Sequence, residues 1–266
     1  MTVNGVTTIL EQLAPLGYAE DFDNVGLLVG DSGMEVQGIL VTLDTLENVV
    51  DEAIVKNCNL IISFHPIIFK GLKKITGKNY VERTVLKAIK NDIAIYAIHT
   101  ALDNSVFGVN DKICNVLGLT NTRILIPQKG TIKKLVTYVP LENSDDVKTA
   151  LFEAGAGAIG NYSDCSFSTE GIGSYKANEH ANPVKGDIGR IHFEKETQIS
   201  VTYSKTIEKQ VLSALFKHHP YEEVAYEITT LENSNQQIDM GMIGELKTAM
   251  PEKDFFSSDC CLLMLI

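Results

Sequence analysis

The sequence predicts an α/β protein: a parallel-sheet main domain with an inserted α+β domain. Three observations predict it. In the first half of the chain, short apolar runs alternate with stretches of helical spacing, the pattern of parallel strands covered on both faces. After about Gly130 the pattern changes to the order β-α-β-β-α-β, the ferredoxin-like arrangement. Between the two lies Pro127-Gln128-Lys129-Gly130, a turn-forming stretch.

Taken in order, residues 23–30 open with the polar pair Asp23-Asn24, which reads as a turn before a short strand. Residues 36–43 are an apolar, β-branched run and predict a strand. Residues 46–56 carry Leu46, Val49, Val50, Ala53 and Ile54 at helical spacing. A second apolar run at 59–64, a helical pattern at 80–89 and a third run at 93–98 complete two βαβ units, each with a right-handed crossover. In the insert, strands are expected at 133–139, 165–173, 190–203 and 224–229, with helices at 145–154 and 207–218. The domains expected are 1–130, the first half of an α/β metal-binding domain; 131–229, the insert; and 230–266, a return to the main domain. The tail from about 256 is atypical, since two cysteines and five consecutive apolar residues crowd into it. It reads as a buried terminal strand, a lipidated Cys260-Cys261 pair or residues foreign to the fold.

Composition narrows the function. With 266 residues, 44% hydrophobic and 21% charged, the chain has ample material for a core and is not a disordered or fibrous protein. It has 23 basic and 34 acidic residues, a net charge of −11, and no run of basic residues longer than a pair, which disfavours nucleic acid as a partner. No apolar stretch is long enough to span a bilayer, so no membrane association is expected. The N-terminus lacks the basic region of a secretory signal. The 5 cysteines show no CxxC spacing, which points to a reducing, cytoplasmic setting.

Ligands of open α/β sheets bind beyond the carboxyl ends of the strands. After the first run comes Asp44, after the second His65-Pro66, and after the third His99, Thr100 and then Asp103-Asn104. Imidazoles and carboxylates gathered at three successive strand ends make a divalent-metal site with open positions for water. Each residue also has a plainer reading: Asp44 as a helix cap, Asp103-Asn104 as a turn. His218-His219-Pro220-Tyr221-Glu222-Glu223, at a helix end, reads first as structural and second as another metal candidate. No phosphate-binding glycine loop and no GxSxG elbow is present.

Three motifs carry a resemblance: Asp23-Asn24-Val25-Gly26-Leu27-Leu28-Val29-Gly30, Ile62-Ser63-Phe64-His65-Pro66-Ile67-Ile68-Phe69, and Ala97-Ile98-His99-Thr100-Ala101-Leu102-Asp103. Together, at these separations, they resemble the GTP cyclohydrolase 1 type 2 homolog (Nif-three-like) family. The segments His219-Pro220-Tyr221-Glu222-Glu223-Val224-Ala225-Tyr226 and Gly241-Met242-Ile243-Gly244-Glu245-Leu246 resemble the extra domain of its longer bacterial members and the re-entry into the main domain. The resemblance implies a two-metal site holding Zn, Fe or Mn, with His65 and Asp103 as ligands and His99 and Asp44 as near neighbours. It implies toroidal homo-hexamers. Phe64 stands where the family often has a first histidine. The family continues beyond this chain's end with a further His and Glu ligand, so a truncated member with an incomplete main domain is expected. The function implied is metal-dependent hydrolysis of a small nucleotide-like or phosphate-containing substrate; the alternative is a non-catalytic metal-binding or regulatory and assembly protein.

Overall fold

The computed structural model describes residues 1–263 apart from Gln236 and Asp239, and for 258–263 the backbone alone. It divides into two compact units, Met1–Pro127 with the described residues after 235, and Gln128–Asn235.

The first unit opens with helix α1, Val3–Leu13, which the sequence reading did not name. Thr2 caps it, its hydroxyl accepting the Gly5 amide at 3.2 Å. Strand β1 (Gly26–Val29) and strand β2 (Ile39–Thr42) follow, then helix α2 (Glu47–Val55), strand β3 (Leu60–Ser63), helix α3 (Tyr80–Lys90) and strand β4 (Ala94–Ala97). Helices α4 (His99–Asp103) and α5 (Val109–Val116) lead to strand β5 (Leu119–Ile124). The sheet runs β1-β4-β3-β2. Its alternating side chains feed two cores. Ile61 and Ile95 pack with Val50 and Ala53 of α2 and Val85 and Ala88 of α3. Leu60, Ala94 and Tyr96 pack with Val3 and Val6 of α1 and Ala101 of α4.

The pairs β2–β3 and β3–β4 are parallel. The expectation of a parallel sheet needs one correction: β1 is antiparallel to β4, so the sheet is mixed. The crossover rule fixes direction only where a helix joins neighbouring strands, and no helix links β1 to β4. Gly30, at φ +105°, lets β1 end hard against β4, since a Cβ there would lie 2.7 Å from that of Ala94.

The second unit runs strand β6 (Ile132–Pro140), helix α6 (Ser144–Glu153), strand β7 (Ser166–Lys176), strand β8 (Ile191–Ser204), helix α7 (Glu208–His218) and strand β9 (Tyr226–Leu231). The order in its sheet is β7-β8-β6-β9, every pair antiparallel. Leu135, Val139, Ile199 and Val201 form a core with Val147 and Leu151 of α6 and Val211 and Leu215 of α7. Residues one step out of phase fill the rungs between: Tyr138 and Thr169 both face Gln198, and Gly171 faces Glu196.

The chain then returns to the first unit. Strand β10 (Met242–Leu246) pairs antiparallel with β5 in a separate two-stranded sheet. Helix α8 spans Glu252–Leu263, so the reading of the tail as a terminal strand is corrected to helix. Pro251 immediately before it, with Glu252 and Asp254 in its first turn, explains the start. The proposed Cys260-Cys261 lipidation concerns side chains outside those described.

Candidate functional site

The parallel ladder sets the site. Thr42 pairs with Ser63 and Ser63 with Ala97. Asp44, His65 and His99 each stand two residues beyond that common rung. The ladder continues past the strands: the His65 amide donates to the Leu43 carbonyl and the His99 amide to the Phe64 carbonyl, both at 2.9 Å. The two imidazoles are therefore brought side by side at the carboxyl edge, ring centroids 5.3 Å apart. The Phe64 ring lies 5.0 Å from His65 and 5.5 Å from His99, edge-on to both. Where the resemblance would place another imidazole, the cluster has an apolar ring.

Each imidazole is oriented by a carboxylate. His65 Nδ1 lies 2.8 Å from Asp44 Oδ1. His99 Nδ1 lies 2.9 Å from the carboxylate of Asp23, whose side chain is fully buried. A carboxylate accepts, so Nδ1 donates in each ring, and Nε2 has no hydrogen-bond partner among the described residues, the arrangement that orients metal-binding histidines. Asp23 also accepts the Thr100 hydroxyl, the Thr100 amide at 3.1 Å and the Asn24 amide at 2.7 Å. Burial works to raise the pKa of Asp23, but these bonds outweigh it and hold the carboxyl below its ordinary value. Sequence reasoning took Asp23 for a turn residue. Its partners His99 and Thr100 lie 76 and 77 residues away, and only its place in a motif shared with a family hinted at more.

Asp103 is one helical turn beyond His99 on α4. Burial raises its pKa, His99 and His65 lower it, and Asp23 raises it further, with the net effect upward. Both imidazoles thus lie within its electrostatic reach. Among the described residues its carboxylate has no hydrogen-bond or ion-pair partner. Gly108 holds the turn after α4 tight, since a Cβ there would lie 1.7 Å from the Leu102 carbonyl.

The donor chemistry suits a divalent ion: two open imidazole nitrogens beside a partly buried carboxylate lacking a counter-charge. Among the described residues, no three His, Cys, Asp or Glu side chains already converge on one point as a closed ligand set. The second candidate, His219, is different. Its Nε2 lies 2.9 Å from the Tyr138 carbonyl, and its Nδ1 accepts the Tyr221 amide at 3.1 Å. Burial lowers its pKa. With both nitrogens committed, His219 is a structural residue.

Fold and edge define a class: an α/β protein with a mixed sheet and an imidazole–carboxylate cluster at its carboxyl edge. The family is Duf34/NIF3 (NGG1p interacting factor 3), whose profile matches residues 1–259, and the chain belongs to it. It is 43% identical to the GTP cyclohydrolase 1 type 2 homolog of Bacillus subtilis over 257 residues, 96% of this chain and 69% of the relative. It is 40% identical to the homolog of the same name from Halalkalibacterium halodurans, over 95% of this chain and 68% of that one. Among solved structures, a Bacillus cereus protein related to NIF3 matches with a TM-score of 0.81 and 37% identity, covering 99% of this chain and 71% of that one. No helix among the described residues is long and apolar enough to cross a membrane.

Proposed function

We propose that His65 and Asp103 hold a divalent metal ion, Zn, Fe or Mn, and that the protein is a metal-dependent hydrolase of a small nucleotide-like or phosphate-containing molecule. One observation carries the reading: His65 and His99 each have Nδ1 tied to a carboxylate and Nε2 open, beside the unpartnered carboxylate of Asp103. The relatives' name, GTP cyclohydrolase 1 type 2 homolog, supports a hydrolytic reaction class. When bound, the ion supplies Lewis acidity and lowers the pKa of water. Asp44 fixes the ring of His65 as a ligand. Asp23 fixes His99, which accepts or returns a proton at Nε2. Phe64 keeps an apolar wall against both rings and limits water on that side. In the same reading the second unit is a ferredoxin-like insert, supported by its strand order, and the protein self-associates as a cytoplasmic homo-oligomer.

The test is turnover of nucleoside triphosphates and simple phosphoesters with Zn²⁺, Mn²⁺ or Fe²⁺ added, against an Asp103→Ala control. Wild type is expected to turn over with metal, and the variant to lose about tenfold or more. Stoichiometric metal binding without turnover of any of these substrates would overturn the hydrolase and leave the non-catalytic alternative.

A further inference from the structure

The second unit contains a cavity of about 500 Å³ that the candidate metal edge does not use. That is within the range of roughly 300–1,000 Å³ typical of pockets that take whole small molecules. Its walls come from separate parts of the unit: Tyr138 of β6, Ile172 and Tyr175 of β7, Val184 of the following loop, Glu196 of β8, and Tyr221 after α7. The rings are tied in place. The Tyr175 hydroxyl donates to the Lys185 carbonyl at 2.7 Å, and the Tyr221 hydroxyl to Glu196 Oε1 at 2.9 Å. Tyr175 and Tyr221 meet edge-on, centroids 5.9 Å apart.

The charges lining this cavity are all of one sign. Glu170, Glu196, Glu222 and Glu223 line it, and among the described residues no Lys, Arg or His does. The nearby basic side chains are engaged elsewhere: Lys185 pairs with Glu142 and Glu194, and the His192 ring bonds Glu194. Glu196 is 9% exposed, and among the described residues its carboxylate is hydrogen-bonded by the Tyr221 hydroxyl alone. No Lys or Arg side chain among the described residues is bonded to it, and a bound cation would supply that missing partner. The carboxylate of Glu196 packs over Gly173 of the neighbouring strand β7, in the space a Cβ there would fill. Spread carboxylates with aromatic faces between them suit a larger cation with an apolar body, whose charge is attracted by ring faces as well as by the acid.

We propose that this cavity is a binding site for a small organic ammonium compound, with Glu196 as counter-charge and Tyr138, Tyr175 and Tyr221 as its aromatic walls. The test uses the full chain and isothermal titration calorimetry with phenethylamine, and with phenethyl alcohol as its uncharged counterpart. Phenethylamine is expected to bind at least about tenfold more tightly than the alcohol, as expected for a charge held against a carboxylate and aromatic faces. Glu196→Gln should abolish that preference while leaving the fold intact by circular dichroism. If this variant fails to fold, Tyr175→Leu should weaken the amine by about tenfold on the same grounds. Equal binding of amine and alcohol, binding of neither, or an amine preference unchanged in both variants would overturn the proposal.

Discussion

Two histidine environments of this protein differ in what they leave open. At the carboxyl edge of the first unit, His65 and His99 each commit one ring nitrogen to a carboxylate and keep the other. At the end of α7 in the second unit, His219 commits both, one to a carbonyl and one to an amide. The side-chain type is the same, and the acids nearest in sequence are denser at His219, which Glu222 and Glu223 follow, than at His65, which has none within ten residues. The backbone decides between them. The parallel ladder stops at the edge and leaves one nitrogen of each ring without a partner among the described residues, whereas His219 is folded back into its own loop. A histidine becomes a ligand candidate through the partner it lacks, not through its neighbours in sequence.

The comparison can be broken most strongly at Asp23. Asp23→Ala removes a fully buried carboxylate and strands donors from His99, Thr100 and Asn24. It should cost about 3 kcal/mol in urea unfolding, as for a buried charged acceptor with several donors. A loss below about 0.5 kcal/mol would mean that the network does not hold His99.

His219→Ala should behave in the opposite way to His65→Ala. Loss of His219 leaves the Tyr138 carbonyl and the Tyr221 amide without their partner, a stability cost of about 2 kcal/mol with metal affinity unchanged. His65 has a 44% exposed side chain, so its removal should scarcely move the unfolding midpoint yet weaken metal binding. Similar effects of the two variants on both measurements would erase the distinction.

Much of this contrast was legible in sequence, and the limits have physical causes. Strands β2, β3 and β4 and helices α2 and α3 follow from runs of apolar residues with local period, and with them came the alignment of Asp44, His65 and His99. Helix α1 went unnamed, although Val3, Val6 and Leu10 are helically spaced. The direction of β1 was not readable, because no crossover fixes it. Asp23 looked like a turn because its role is made by contacts across the fold. The cavity of the second unit was invisible for the same reason: Tyr138, Tyr175, Glu196 and Tyr221 come from four segments, and of these only that of Tyr221 falls in a motif. For His219, the sequence offered both a structural and a metal reading, and only the hydrogen bonds decide.

A finer adjustment is Asp44→Asn, which keeps the size of the group holding His65 but weakens its acceptance from Nδ1. Metal affinity should fall by about 10-fold to 100-fold, the usual consequence of losing a carboxylate behind a metal-binding histidine. Equilibrium dialysis reads it, and an unchanged affinity would remove Asp44 from the account.

The smallest effect lies beyond the edge, where the first turn of α3 meets the segment before it. Glu82 accepts the Thr76 hydroxyl and the amides of Thr76 and Lys78, which hold its pKa at about 2 against an ordinary 4.5. A depressed carboxyl stabilises the fold above its unfolded pKa, and that contribution is lost as pH falls from 4.5 towards 2. Glu82→Gln should therefore lower the urea midpoint at pH 7 and flatten its decline between pH 5 and 3; an equally steep decline in the variant would show that other carboxyls govern it.

The central claim is that the carboxyl edge of the first sheet, through His65 and Asp103, is where this protein takes a divalent ion. Equilibrium dialysis against Zn²⁺, with metal counted by mass spectrometry, tests it on wild type, the His65→Ala/Asp103→Ala double variant and His219→Ala. The account predicts bound metal in wild type and His219→Ala and its loss from the double variant, with all three folded by circular dichroism. Metal retained by the folded double variant, or lost from His219→Ala alone, would contradict it.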